Sequence, residues 1–149
     1  MDNLKPSQII VLVSGAVLLV ASFLDVYKDG DNAWGDFGVY TWPAILGVIV
    51  AGGLAAVVFG NVNLPERILT FSVRQLFVVL AFGAALIQVG VVLSILLLSP
   101  PEGADGPSVA IGGWLGLLAA IGLVVGAVME LQDDSPSANR PSNTPPSAF

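Results

Sequence analysis

The residue types with the most versatile chemistry are missing: this chain of 149 residues has no cysteine and no histidine. Their absence excludes disulfides, thiolate and imidazole metal sites, the usual protein-ligated haems, and nucleophilic pairs of the Cys-His or Ser-His kind. Charge is scarce as well. At 11% of residues it is less than half of what a soluble domain carries to wet its surface. Its balance is wrong for nucleic acid, because five Lys+Arg stand against eleven Asp+Glu, a formal net charge of -6, whereas phosphates demand clustered cations. These absences lead us to expect neither an enzyme nor a cofactor.

What remains is apolar. Hydrophobic residues make up 55% of the chain and the mean hydropathy is +0.86, more oil than a single water-soluble core of this length can hide. Charge-free stretches run over 6–24, 37–65, 75–101 and 106–129. Each supplies the roughly 17 to 25 residues that a helix needs to cross about 30 Å of hydrocarbon. Trimmed at turn formers and charges, the spans fall near 8–24, 41–59, 76–98 and 109–131. Helix is the conformation to expect, because open strands would leave backbone groups unpaired in lipid and the alternation of barrel strands is missing. The first span resembles a secretory signal only in part: its n-region carries a single Lys5 and no A-x-A site precedes Asp25. The expected fold class is therefore all-α, a four-helix transmembrane bundle of two αα-hairpins over residues 1–131. Residues 132–149, rich in Ser, Pro and Asn, are expected to form a disordered tail.

Orientation follows from the basic residues. Lys5, Arg67, Arg74 and Arg140 fall on one side of four spans and Lys28 on the other, which places both termini and the tail in the cytoplasm. The opposite loops are acidic, with Asp25, Asp29, Asp31, Asp36, Glu102 and Asp105. In the first of them the Asp spacing fails the EF-hand register, since Ala33 and Trp34 stand where a ligand and the obligatory glycine belong, so a solvated acidic loop is expected. Trp34, Trp42 and Trp114, with Tyr27 and Tyr40, stand at expected lipid–water boundaries, where indole and phenol rings suit both media. Between the second and third spans, Asn63 followed three residues later by Glu66 resembles a capping box, with Pro65 tolerated in a first turn. A helix starting at Pro65 would carry Arg67 and Arg74 on one face as headgroup anchors.

No carboxylate, amine or guanidinium is expected inside the spans, which weighs against ion-coupled transport. The most notable polar group there is the Gln88 amide near mid-span, whose expected partner is Ser14, Ser22 or a backbone carbonyl. Small residues form a clearer pattern. Gly112, Ala119 and Gly126 recur every seven residues in the fourth span, Gly112 with Gly116 and Gly122 with Gly126 each make a GxxxG, and Gly83 and Gly90 repeat likewise in the third. Such grooves let another backbone approach closely, within the bundle or from a partner subunit. The runs beginning at Trp42 and Trp114 also make the two halves weakly alike.

The run Ser22-Phe23-Leu24-Asp25-Val26-Tyr27, with Gly15, Ala33-Trp34, Trp42-Pro43 and Leu64-Pro65, resembles small four-span integral membrane proteins common in actinobacteria. Those often read S-F-L-P-W-Y where this chain has Asp25 and Val26. The resemblance covers about 15–129 and implies a bacterial inner (plasma) membrane and a bundle without catalysis. Two functions are compatible with these features. One is an accessory or scaffold subunit whose partners are membrane lipid and other membrane helices, including copies of itself. The other is an oligomeric pore-former or small-solute channel, of which a holin-like protein is one form, for which Gln88, Ser14, Ser22 and Ser94 would have to line water.

Overall fold

The structure, a computed structural model, describes residues 4–28, 30, 32–35, 38–60, 62, 67–68, 70–98 and 108–133. Among the described residues four helices form in chain order: α1 (Pro6–Ser22), α2 (Trp42–Gly60), α3 (Val73–Leu98) and α4 (Ile111–Asp133). A two-residue hairpin, β1 (Arg67–Ile68) paired antiparallel with β2 (Phe71–Ser72), leads into α3. Among the described residues the secondary structure is otherwise α-helical, apart from the isolated antiparallel bridges Asp25–Asn32 and Tyr27–Val109. The second, third and fourth helices are each long and apolar enough to cross a membrane, while α1, at 17 residues, is shorter.

Helix ends follow local chemistry. Pro6 opens α1, where its missing N–H costs nothing, and the Lys5 N–H donates to Gln8 Oε1 at 3.1 Å. Thr41 precedes α2 and its carbonyl accepts the Ile45 N–H. The third helix starts later than expected from Pro65. Ser72 and Gln75 cap it reciprocally, with the Ser72 N–H on Gln75 Oε1 at 3.0 Å and the Gln75 N–H on Ser72 Oγ at 3.2 Å. This S-x-x-Q box satisfies two donors that a helix start leaves orphaned. Arg67 therefore sits in β1 opposite Ser72, while Arg74 lies in the first turn of α3, and the two share no helical face. The expected box residues Asn63, Pro65 and Glu66, with Leu64, lie outside the described residues, as do Asp29, Asp31, Asp36, Glu102, Asp105 and the tail from residue 134 with Arg140.

Sequence neighbours run antiparallel, and α1 also packs along α4, its most extensive contact in the molecule. The helices thus close as a ring in the order α1-α2-α3-α4. Thin residues set these contacts: Gly15 meets Ala51 and the Gly47 carbonyl, Gly53 meets the Phe77 ring, and Gly126 meets Val11. The centre is filled by short side chains around Val50 and Leu123, including Ala81, Ala84 and Ala120, all fully buried. Outward faces are apolar too, with Leu86 71% and Leu97 76% exposed. That inversion suits a protein whose solvent is lipid.

The segment between α1 and α2 departs from the expected solvated loop. Val26 and Ala33 are buried in a second apolar cluster with Val91 and Ile95 of α3. Its backbone pairs with the approach to α4, through Lys28 N–H to the Ser108 carbonyl at 2.8 Å and Ala110 N–H to the Val26 carbonyl at 3.0 Å. With Val26, Tyr27 and Ala33 packed on Val91 and Ile95 of α3, its described residues lie as a lid across one end of the bundle. The opposite, terminal end brings Pro6 and Asp133 together.

Candidate functional site

Two places inside the bundle concentrate polar chemistry, one at each end. At the terminal end, Ser7 in the first turn of α1 is fully buried and Glu130 in the last turn of α4 is 6% exposed. The Ser7 hydroxyl donates to Glu130 Oε2 at 2.7 Å, and Gln8 Nε2 approaches Glu130 Oε1 at 3.4 Å. Asp133 Oδ2 lies 3.1 Å from the same Ser7 Oγ. A serine hydroxyl has one proton, so the shorter contact to Glu130 takes the greater share of it. Gln8 thereby links two structures, its oxygen capping the start of α1 and its nitrogen facing the α4 carboxylate. Val11, Phe77, Arg74 and Glu130 border a small cavity of about 10 Å³ just beneath.

Glu130 corrects the expectation of spans without a carboxylate. The charge-free stretch closes at Met129, but the span drawn to residue 131 takes in Glu130, so the expectation passed over a carboxylate inside its own boundary. The helix continues to Asp133, and the stripe Gly116, Ala119, Leu123, Gly126 continues at helical spacing onto position 130. That continuation is the signal that finds the residue. Burying a carboxylate is costly without donors, and the start of α1 supplies them.

Towards the lid end, Gln88 of α3 is 7% exposed and its Nε2 donates to the Gly113 carbonyl of α4 at 3.2 Å. Of the three expected partners, the backbone carbonyl is the one used. Ser14 lies instead against Gly122, and Ser22 donates to the Leu19 carbonyl while accepting Trp34 Nε1–H at 2.9 Å. Gly116 is what lets the amide in, since a Cβ there would stand 2.7 Å from Gln88 Nε2.

The remaining singled-out residues divide by environment. Gly112 faces backbone carbonyls of the turn after α1, Gly122 faces Ser14, and Gly126 faces Val11. Ala119 is buried in the core, and Gly83 stands at ordinary contact distance from Leu46. A Cβ on Gly90 would meet nothing within 4 Å. Trp42 and Trp114 open α2 and α4 at the lid end and are about half exposed. Trp34 is drawn into the lid, where its ring stacks on Phe23 with centroids 5.7 Å apart.

Among the described residues no three acidic, His or Cys side chains gather as a metal site. The arrangement does what polar groups in oil do best, which is to tie α1 to α4 and α3 to α4 by hydrogen bonds that lipid cannot replace. Comparison with protein-family models, with curated proteins and with solved structures finds no match to this chain.

Proposed function

We propose that the chain is a non-catalytic, four-span protein of a bacterial plasma membrane, with both termini in the cytoplasm. It serves as an accessory or scaffold subunit that associates laterally with other membrane helices or with copies of itself. One observation carries this reading: the outward face of α3. Leu86, Gly90, Leu93 and Leu97 follow one another at helical spacing and are all exposed. Gly90 notches that face beside a groove of about 450 Å³ bordered by Val39, Tyr40, Ile87 and Ser94. An apolar ridge with a thin point is the shape that accepts a second helix in lipid. The buried polar groups, by contrast, are spent inside: no sealed side-chain N or O atom among the described residues lacks a hydrogen-bond partner.

The filled centre around Val50, Ala120 and Leu123 speaks against a water path through one bundle. An oligomeric pore would need polar residues on an outward face, where α3 presents leucines. The resemblance to four-span actinobacterial proteins and the position of the basic residues support the assigned membrane and orientation.

The absence of cysteine makes the test direct. Single cysteines placed at Leu86, Gly90 and Leu97, and at Leu123 as an inner control, are crosslinked in native membranes with a short apolar bis-maleimide. The expected result is a discrete adduct of one mass from the α3 positions and none from Leu123. A chain that stays monomeric at all positions and co-purifies with nothing in mild detergent rejects the proposal.

A further inference from the structure

At the level of Gln88, a cavity opens where all four helices and the lid converge. Leu18, Ser22, Val26, Tyr40, Gln88 and Gly116 are among the residues that border it, and it leaves about 10 Å³ of room. We infer that this cavity is a binding site for a single buried water molecule, held by the carboxamide oxygen of Gln88.

The size fits one water and nothing larger, since the threshold for holding one is about 10 to 15 Å³ of this volume. Apolar voids of this kind stay dry, so the lining decides. The Gly113 carbonyl can only accept, and its bond from Gln88 therefore fixes which end of the amide is nitrogen. The oxygen accepts from no donor among the described residues and is not one of the fully sealed atoms, so it keeps accessible surface, on a side chain 7% exposed that borders the cavity. Leaving such an acceptor without a donor in an apolar bundle is costly, and a water molecule removes that cost. Ser22 adds a second polar contact. Its proton goes to the Leu19 carbonyl and one lone pair to Trp34 Nε1–H, which leaves one lone pair to accept from the water. Val26, Ala33 and Tyr40 of the lid border the site at the bundle end, and the lid backbone is fastened to the approach of α4.

Water-edited solid-state NMR on the full chain in lipid bilayers tests this. The readout is magnetisation transfer from water to the Cα of Gly112 and Gly116, whose hydrogens do not exchange and which border the cavity. The methyls of Ala84 and Ala120, fully buried in the core, are the dry reference. In the native chain Gly116 receives magnetisation well ahead of Ala84 and Ala120. In Gln88→Met, which keeps the length of the side chain but replaces the carboxamide oxygen with a weakly accepting thioether, the Gly116 transfer falls to the Ala84 level. The chemical shift of Ala81, fully buried in the core on the same helix, reports that the variant keeps its fold. Native transfer to Gly116 no faster than to Ala84 overturns the inference, and so does an undiminished transfer in a folded Gln88→Met chain.

Discussion

Gly112 and Gly90 look equivalent as members of heptad-spaced small-residue stripes, yet replacing each with alanine should move stability in opposite directions. A Cβ on Gly112 would sit 2.6 Å from the Asp25 carbonyl oxygen, 2.9 Å from that of Leu24 and 3.0 Å from that of Ala21. All three are backbone atoms in the last turn of α1 and the start of the lid, so no rotamer change relieves them. The start of α4 must retreat, and the Gly112 N–H bond to the Asp25 carbonyl, now 3.1 Å, stretches with it. Overpacking of this kind costs about 1 to 3 kcal/mol. A weakened hydrogen bond adds about 1 kcal/mol. On Gly90 the new methyl meets nothing within 4 Å, and alanine there gains up to about 1 kcal/mol of helix propensity. The two variants should therefore differ by about 3 kcal/mol when these terms are combined. Unfolding in mixed micelles by titration with a denaturing detergent, followed by far-UV circular dichroism, measures the difference. Equal stabilities within about 0.5 kcal/mol, the usual scatter of neutral substitutions, would refute the assignment of Gly112 to a backbone contact.

Two further outcomes follow from the hydrogen bonds. Ser7→Ala removes the short donor to buried Glu130 and should cost about 1.5 to 3 kcal/mol in the same titration. In a Glu130→Leu background the same substitution should cost much less, and a double-mutant cycle showing no coupling would mean that the pair does not tie α1 to α4. Ser72→Ala removes the cap of α3 and should cost about 1 kcal/mol. Amide exchange should quicken in the first turn of α3 while protection around Gln88 stays unchanged.

Much of the helical architecture is legible along the chain. Four charge-free runs of spanning length, free of barrel-like alternation, permit one kind of structure in oil, because helix alone pairs its own backbone. The rest depends on what lies across each contact. The start of α3 is an example: Asn63-x-x-Glu66 and Ser72-x-x-Gln75 spell the same box, and the described structure uses the latter. The lid is another, since its acids suggested water while Val26 and Ala33 found an apolar floor on α3. Glu130 falls on the inward stripe of α4, and Ser7, far from it in the chain, supplies a hydrogen bond that its burial calls for.

Hydropathy and run length are properties of one segment against its solvent, so the amino-acid order by itself determined that this protein is apolar, helical and suited to lipid. Whether a glycine seats a neighbour or faces open space, and whether Gln88 bonds a serine or a carbonyl, are properties of two segments at a few ångströms. The packing of α4 against α1 and α3 decided those, because in lipid close packing and hydrogen bonds, rather than hydrophobic burial, choose which helices touch.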